Sequence, residues 1–169
     1  MRDLARLITG ARTSGLQRWL LNTALSWRIP FNRPHGFRVE PLASGGIRVH
    51  VPYWRINRNH IRGIHACALA TAAEFCSGLA LLEVLDPRKY RLIMKTLHMD
   101  YHYQAKRDAL AMYAPDRAML EAQASRLQAG AGAMLHEALV ELHDSAGAHL
   151  ATGRITWQVK PWDQVRTSV

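Results

Sequence analysis

The sequence is poor in lysine and in acid. Of its 22 basic residues only Lys89, Lys95, Lys106 and Lys160 are lysines, and 13 carboxylates leave a net charge of +9. Such a surface attracts anions: nucleic acid, phosphorylated small molecules or anionic lipid. The planar guanidinium fork also suits bidentate phosphate contact. Cysteine is scarce. Cys67 and Cys76 fall on one predicted helix, about 13 Å apart by helical rise, which excludes a disulfide between them. No CxxC pair and no zinc spacing occurs. Reduced thiols point to the cytoplasm.

Several chemistries lack their motifs. There is no GxSxG elbow, no GxxxxGK[ST] loop and no GxGxxG turn, so nucleophilic serine chemistry, P-loop binding and Rossmann binding have no support. No nucleic-acid module is visible, and charge alone does not make one. The N-terminus lacks the compact apolar stretch of a secretory signal. Its arginine-rich start (Arg2, Arg6, Arg12, Arg18, with only Asp3) has the composition of a transit peptide, yet it also carries helical periodicity, and a folded helix is expected. Repeats, low-complexity tracts and linkers are absent, so residues 1–169 read as a single domain.

What is present centres on residues 59–85. From Ile64 to Leu82 nearly every residue is small or apolar, on all sides of the helix one would draw. A helix apolar all round is expected to be buried all round. Within it Glu74 is the only formal charge. A buried carboxylate without a partner costs several kcal/mol unless it takes up a proton or accepts strong hydrogen bonds. Glu74 is therefore either a structural acid paired with an arginine or a reactive group. The run is long enough to cross a bilayer, at about 20 residues. A mid-helix Glu penalises insertion by roughly 2.5–3.5 kcal/mol. A core helix is expected, and no transmembrane segment.

Around this helix the periodicities lay out an α+β order. Residues 1–30 form a helical segment. Leu4, Leu7, Ile8 and Ala11 make one amphipathic stripe. Ser14 to Gln17 has capping-box form and starts a second helix, with Leu16, Trp19, Leu20, Thr23 and Trp27 expected inward. A membrane-surface role for this arginine- and tryptophan-bearing helix is a minority reading. Residues 36–54 alternate about Gly45-Gly46 as a β-hairpin. The central helix occupies 63–85 and closes at Asp86-Pro87. Residues 90–160 supply the remaining strands, the first from Tyr90 to Ala105, with a short helix at 116–128 broken by Gly130 and Gly132. Hairpins imply an antiparallel sheet, and one apolar helix demands a sheet that curls around it.

His98, Asp100 and His102 share a strand face and form a nominal 2-His-1-carboxylate set. Alternate strand positions are about 7 Å apart, so three in a row rarely converge on one ion. No metal is expected. Asn59, His60, Gly63 and His65 form a polar, glycine-containing approach to the central helix.

The segment Asn59-His60-Ile-Arg-Gly63-Ile-His65-Ala-Cys-Ala-Leu-Ala-Thr-Ala-Ala-Glu74 resembles the signature of hotdog-fold acyl-CoA thioesterases, closest to their PaaI-like branch and its YiiD-like relatives. That pattern has an Asn, a Gly, then a His followed by small residues, with an acid nine after the His. Glu74 stands where phenylacetate-pathway enzymes commonly carry Asp, and Ala66-Cys67 where they carry Gly-Gly. The resemblance implies a hotdog fold: a curved antiparallel sheet wrapped around one long buried helix, with N-terminal covering helices. It also implies a homodimer or dimer of dimers, an acyl-CoA or acyl-carrier substrate, and no cofactor beyond the CoA of that substrate. Glu74 would be general base or, as a second reading, nucleophile. Amides near His65, Ala66 and Cys67 would hold the oxyanion, and Asn59 would orient water. His65 would line the mouth or serve as a helix-start hydrogen-bond partner, and His60 and Gly63 would shape the approach. Arg58 and Arg62 would meet CoA phosphates or stand as solvated loop charges. Ala68, Thr71, Ala72 and Cys76 would border the acyl pocket. Two rivals use the same fold: a non-catalytic acyl-CoA-binding scaffold, and a hydratase or dehydratase, whose HFPG-type loop is missing here.

Overall fold

The computed structural model describes residues 4–128 and 132–165. The elements run α1 (Leu4–Ala11), α2 (Gly15–Arg28), β1 (Arg38–Pro41), β2 (Ile47–Val51), α3 (Ala66–Val84), β3 (Tyr90–Tyr101), β4 (Ala109–Tyr113), α4 (Arg117–Gln128), β5 (Met134–Asp144) and β6 (His149–Pro161), with short 3-10 turns at Pro30–His35, Arg55–Asn57 and Trp162–Gln164. Gly130, Arg2 and Asp3, invoked above, lie outside the described residues.

All six strands join one antiparallel sheet in the order β1-β2-β4-β5-β6-β3. The hairpin forms where the double glycine predicts it. Gly45 and Gly46 sit at φ 97° and 84°, a region glycine enters without a Cβ penalty, and Pro41 pairs with Ile47 across them. β2 and β5 alternate as half-buried strands must: Ile47, Val49 and Val51 on β2, then Met134, His136, Ala138, Val140 and Leu142 on β5, face inward. The sheet curls around α3, whose Ala72, Ala73, Cys76, Ala80 and Leu81 are essentially inaccessible. Small side chains let strands approach that closely. Cys76 Sγ reaches the Ile47 carbonyl at 3.1 Å, and burial pushes its thiol pKa up. This is the hotdog architecture, α+β with a central helix.

Three expectations need correction. First, α3 is not buried all round: Ala66 and Cys67 are exposed, and Ala70, Thr71 and Glu74 are half-buried, so one face is left uncovered by the sheet. Second, α2 turns the other way. Leu21 and Leu25 pack inward while Leu16, Trp19, Leu20 and Trp27 are exposed. The cause is polar. Asn22 accepts the Val39 amide at 2.6 Å and donates to the Val39 carbonyl at 2.9 Å, completing the hydrogen bonds of the β1 edge. That clamp, with Arg18 at 3.3 Å from Glu40, fixes which face docks. Third, β3 ends at Tyr101, not Ala105, because the amides of His102 and Tyr103 both turn to the Leu150 carbonyl.

Candidate active site

The stretch before α3 is built on a residue that periodicity did not single out. Asn57 is buried; its Nδ2 donates to the carbonyls of His35 and Pro52, each at 2.9 Å, and its Oδ1 lies 2.8 Å from His35 Nδ1. Its own carbonyl accepts the His65 amide at 2.7 Å. A buried side-chain amide holding two backbone segments, on a residue whose carbonyl holds a third, is a sign of a locked loop. In the sequence it is one more polar residue two positions before Asn59.

Asn59 Oδ1 accepts the Ile61 and Gly63 amides at 3.1 and 2.9 Å, and its amide donates to the Gly63 carbonyl. This closes a tight turn in which Arg62 takes φ 60° and Tyr53 donates its hydroxyl to the Arg62 carbonyl. Gly63 is buried there, and a Cβ would stand 2.8 Å from the Gln104 side chain. His60, Arg58 and Arg62 lie on the same loop, Arg62 exposed, with the Arg58 guanidinium 5.2 Å from the Tyr53 ring centre.

His65 caps α3: its Nδ1 accepts the Cys67 amide at 3.1 Å, and its carbonyl accepts those of Ala68 and Leu69. The first turn of a helix leaves its amides without intrahelical partners. Here His65, Cys67 and Ala68 have all found one. Among the described residues only the Ala66 amide of this group is unused.

Glu74 lies two turns further along, on the uncovered face. It lines two pockets, of about 450 and 360 Å³, that share Ile29, Glu74 and Phe75. The larger is walled by Gly78, Leu79, Leu82, Tyr90, Leu92, Trp157 and Trp162, the smaller by Phe31, Cys67, Ala70, Thr71, Met94 and Leu97. Burial raises the Glu74 pKa, and among the described residues no cation or hydrogen bond opposes it. Trp157 is fixed as a wall: its Nε1 donates to Ser77 Oγ at 3.0 Å. Of the residues expected beside the acyl group, Thr71 borders a pocket; Ala68, Ala72 and Cys76 face the core instead. Asn59 and His65 line neither pocket. His98 Nε2 lies 3.2 Å from Asp100 Oδ1, whereas His102 turns away to Thr152 Oγ1 at 3.0 Å.

A family model described as a domain of unknown function, DUF4442, matches residues 17–159. The chain belongs to the DUF4442 family. That stretch runs from α2 through most of β6, so it includes the Asn57 loop, α3 and most of the lining of both pockets. No curated protein matches this DUF4442 chain. Solved structures do. PA5026 of Pseudomonas aeruginosa, named a protein of unknown function and probable thioesterase, is 25% identical with a TM-score of 0.77, the match covering 85% of this chain and 95% of that one. Thioesterase HI1161 of Haemophilus influenzae is 12% identical with a TM-score of 0.69, covering 89% and 94%. A mutant of thioesterase PA1618 of Pseudomonas aeruginosa is 14% identical with a TM-score of 0.69, covering 89% and 99%. The chain is a hotdog, thioesterase-like member of DUF4442.

Proposed function

We propose that this protein is a hydrolase of acyl-CoA or acyl-carrier thioesters, with Glu74 as general base. The observation that carries the reading is a half-buried acid, without an ion partner among the described residues, at the junction of two pockets, one of them largely apolar. Glu74 takes a proton from water, and the hydroxide attacks the thioester carbon. The oxyanion is held by a helix-start amide, and Ala66 offers the free one. The C–S bond then breaks, and the departing thiolate takes the proton back from Glu74. The acyl group lies along the Trp157 wall. Arg58 and Arg62, on the loop beside the helix start, meet the CoA phosphates.

The distance along α3 implies a second subunit. Ala66 and Glu74 are eight residues apart, about 12 Å of helical rise. One carbonyl must lie about 3 Å from both the oxyanion donor and the attacking water. A single helix does not bring the two groups together. Two copies with their uncovered α3 faces opposed and antiparallel do, each joining its Glu74 to the partner's Ala66. β3 supports this arrangement: it is a twelve-residue edge strand beside that face, with a row of backbone groups free to extend the sheet. A homodimer acting in the cytoplasm is the assembly we assign.

The test is release of free thiol from a panel of acyl-CoAs by the wild type and by Glu74→Gln. Loss of a general base should cost about 10²–10⁴-fold. Equal rates for the two proteins would remove Glu74 from the chemistry. Tight acyl-CoA binding without turnover by the wild type would favour the scaffold reading.

A further inference from the structure

α2 is apolar on two opposite sides. Leu21 and Leu25 face the sheet; Leu16, Trp19, Leu20 and Trp27 face out, with exposures of 68, 62, 42 and 68%. These four fall within about 100° of helical arc and run about 16 Å along the axis. Four large apolar residues on one exposed helix face are not the ordinary scatter of single surface hydrophobes.

The charge along this stretch of the chain has one sign. No Asp or Glu occurs between residues 4 and 39, while six arginines do. Arg12 and Arg18 are used inside the protein, on Glu83 and Glu40. Arg28, at the end of α2, and Arg33, just beyond it, have no carboxylate partner among the described residues. The Arg33 guanidinium stacks 4.2 Å above the Trp27 ring. The nearest acid in sequence, Glu40, is already shared by Arg18 and Arg48.

From this we infer that the outer face of α2 docks on an anionic lipid surface. Tryptophans and leucines enter the headgroup boundary, and the two arginines remain at the phosphate level. The charge argues against a second copy of this chain as the occupant. A twofold contact through this face would bring Arg28 and Arg33 of each copy toward those of the other with no acid between them. Anionic headgroups neutralise the same pair. The face also leads to the candidate site: the chain leaving α2 carries Ile29 and Phe31, which line the Glu74 pockets. A lipid-bound molecule would therefore hold its pocket mouth near the bilayer plane. The inference goes beyond the proposed hydrolysis and stands or falls without it.

The experiment is co-sedimentation of the full chain, at low salt, with vesicles of equimolar phosphatidylglycerol and phosphatidylcholine and with vesicles of phosphatidylcholine alone. Wild type is expected to sediment with the anionic vesicles and to be released by salt. Arg28→Gln/Arg33→Gln should bind them roughly thirtyfold more weakly, and Trp19→Ser/Trp27→Ser should stay in the supernatant. All four substitutions are at exposed positions, and unchanged thermal melts establish that the variants are folded. Wild type that ignores anionic vesicles overturns the inference. So does sedimentation that Trp19→Ser/Trp27→Ser leaves intact. A fall in the solution mass of that double variant, without vesicle binding by wild type, would assign the face to a second copy instead.

Discussion

Arg12 Nη2 stands 2.5 Å from Glu83 Oε1, whereas Glu74, on the same helix, meets no cation among the described residues. Nine residues separate the two acids, half a revolution in projection, so they face opposite sides of α3. Glu83 is the structural acid. Its side chain is 6% exposed, and Arg12 also donates to the Leu42 carbonyl at 3.0 Å, tying the N-terminal helices to the hairpin. Among the described residues, Arg12→Ala would leave that carboxylate buried with only Arg117, at 3.9 Å, nearby. The expected loss is about 3 kcal/mol, read from urea unfolding. Arg12→Ala/Glu83→Gln should recover part of it, because the stranded charge is gone.

Glu74 behaves in the opposite sense. Burial raises its pKa above the usual 4.5. The folded state thus holds the proton at pH values where the unfolded chain has released it. Stability therefore falls as pH rises from the unfolded value through the folded one, and the deficit persists at neutral pH. Glu74→Gln should melt higher than wild type at pH 7, and the difference should close below the unfolded pKa. If Glu74 is the base, kcat must rise with pH along a limb placed above the ordinary carboxylate range. Thermal melts and a pH–rate profile read the same ionisation independently.

Gly78 and Trp157 set the size of the larger pocket. A Cβ on Gly78 would stand 3.0 and 3.1 Å from two Trp157 ring atoms. The ring does not yield freely, because its Nε1 is held by Ser77, whose hydroxyl in turn is held by the helix carbonyls. Gly78→Ala should therefore add its methyl to the pocket wall against a ring that does not move aside. We expect kcat/KM for the longest accepted acyl-CoA to fall about tenfold relative to the shortest. A chain-length series on the two proteins measures it. Ser77→Ala, which strands the indole N–H, should cost about 1 kcal/mol of stability.

The sequence carried the fold further than it carried the site, for physical reasons. Strand alternation, the Gly45-Gly46 turn and the apolar α3 are local patterns with one structural solution, and they locate β1, β2, α3 and the late strands. The orientation of α2 is not local. Both its sides are apolar, and a single side chain, Asn22, chooses between them by satisfying an edge strand 17 residues away. The uncovered face of α3 was hidden in the same way: small residues suit a buried contact and an open pocket equally. Glu74 was legible because a lone charge in an apolar run has few explanations. Asn57 was not, since a buried amide looks like any loop Asn until its partners His35, Pro52 and His65 are in place.

The shared site can be tested by subtracting one group at a time. Ala66→Pro removes the one amide at the α3 start that is unused among the described residues. Proline is tolerated at a first helical position, and His65, at φ −63° and ψ 137°, already has the extended conformation a residue before proline requires. The helix should survive while kcat falls about 10²–10³-fold, the usual cost of one oxyanion donor. Glu74→Gln abolishes the other half of the site. In a heterodimer of the two variants, one site combines the intact Glu74 of the Ala66→Pro chain with the intact Ala66 of the Glu74→Gln chain; the other site lacks both. Random exchange of equal amounts should thus restore about a quarter of wild-type thiol release from two nearly inactive parents. Mixtures that exchange subunits yet stay as inactive as their parents would place base and amide in one chain, against the helical distance between them.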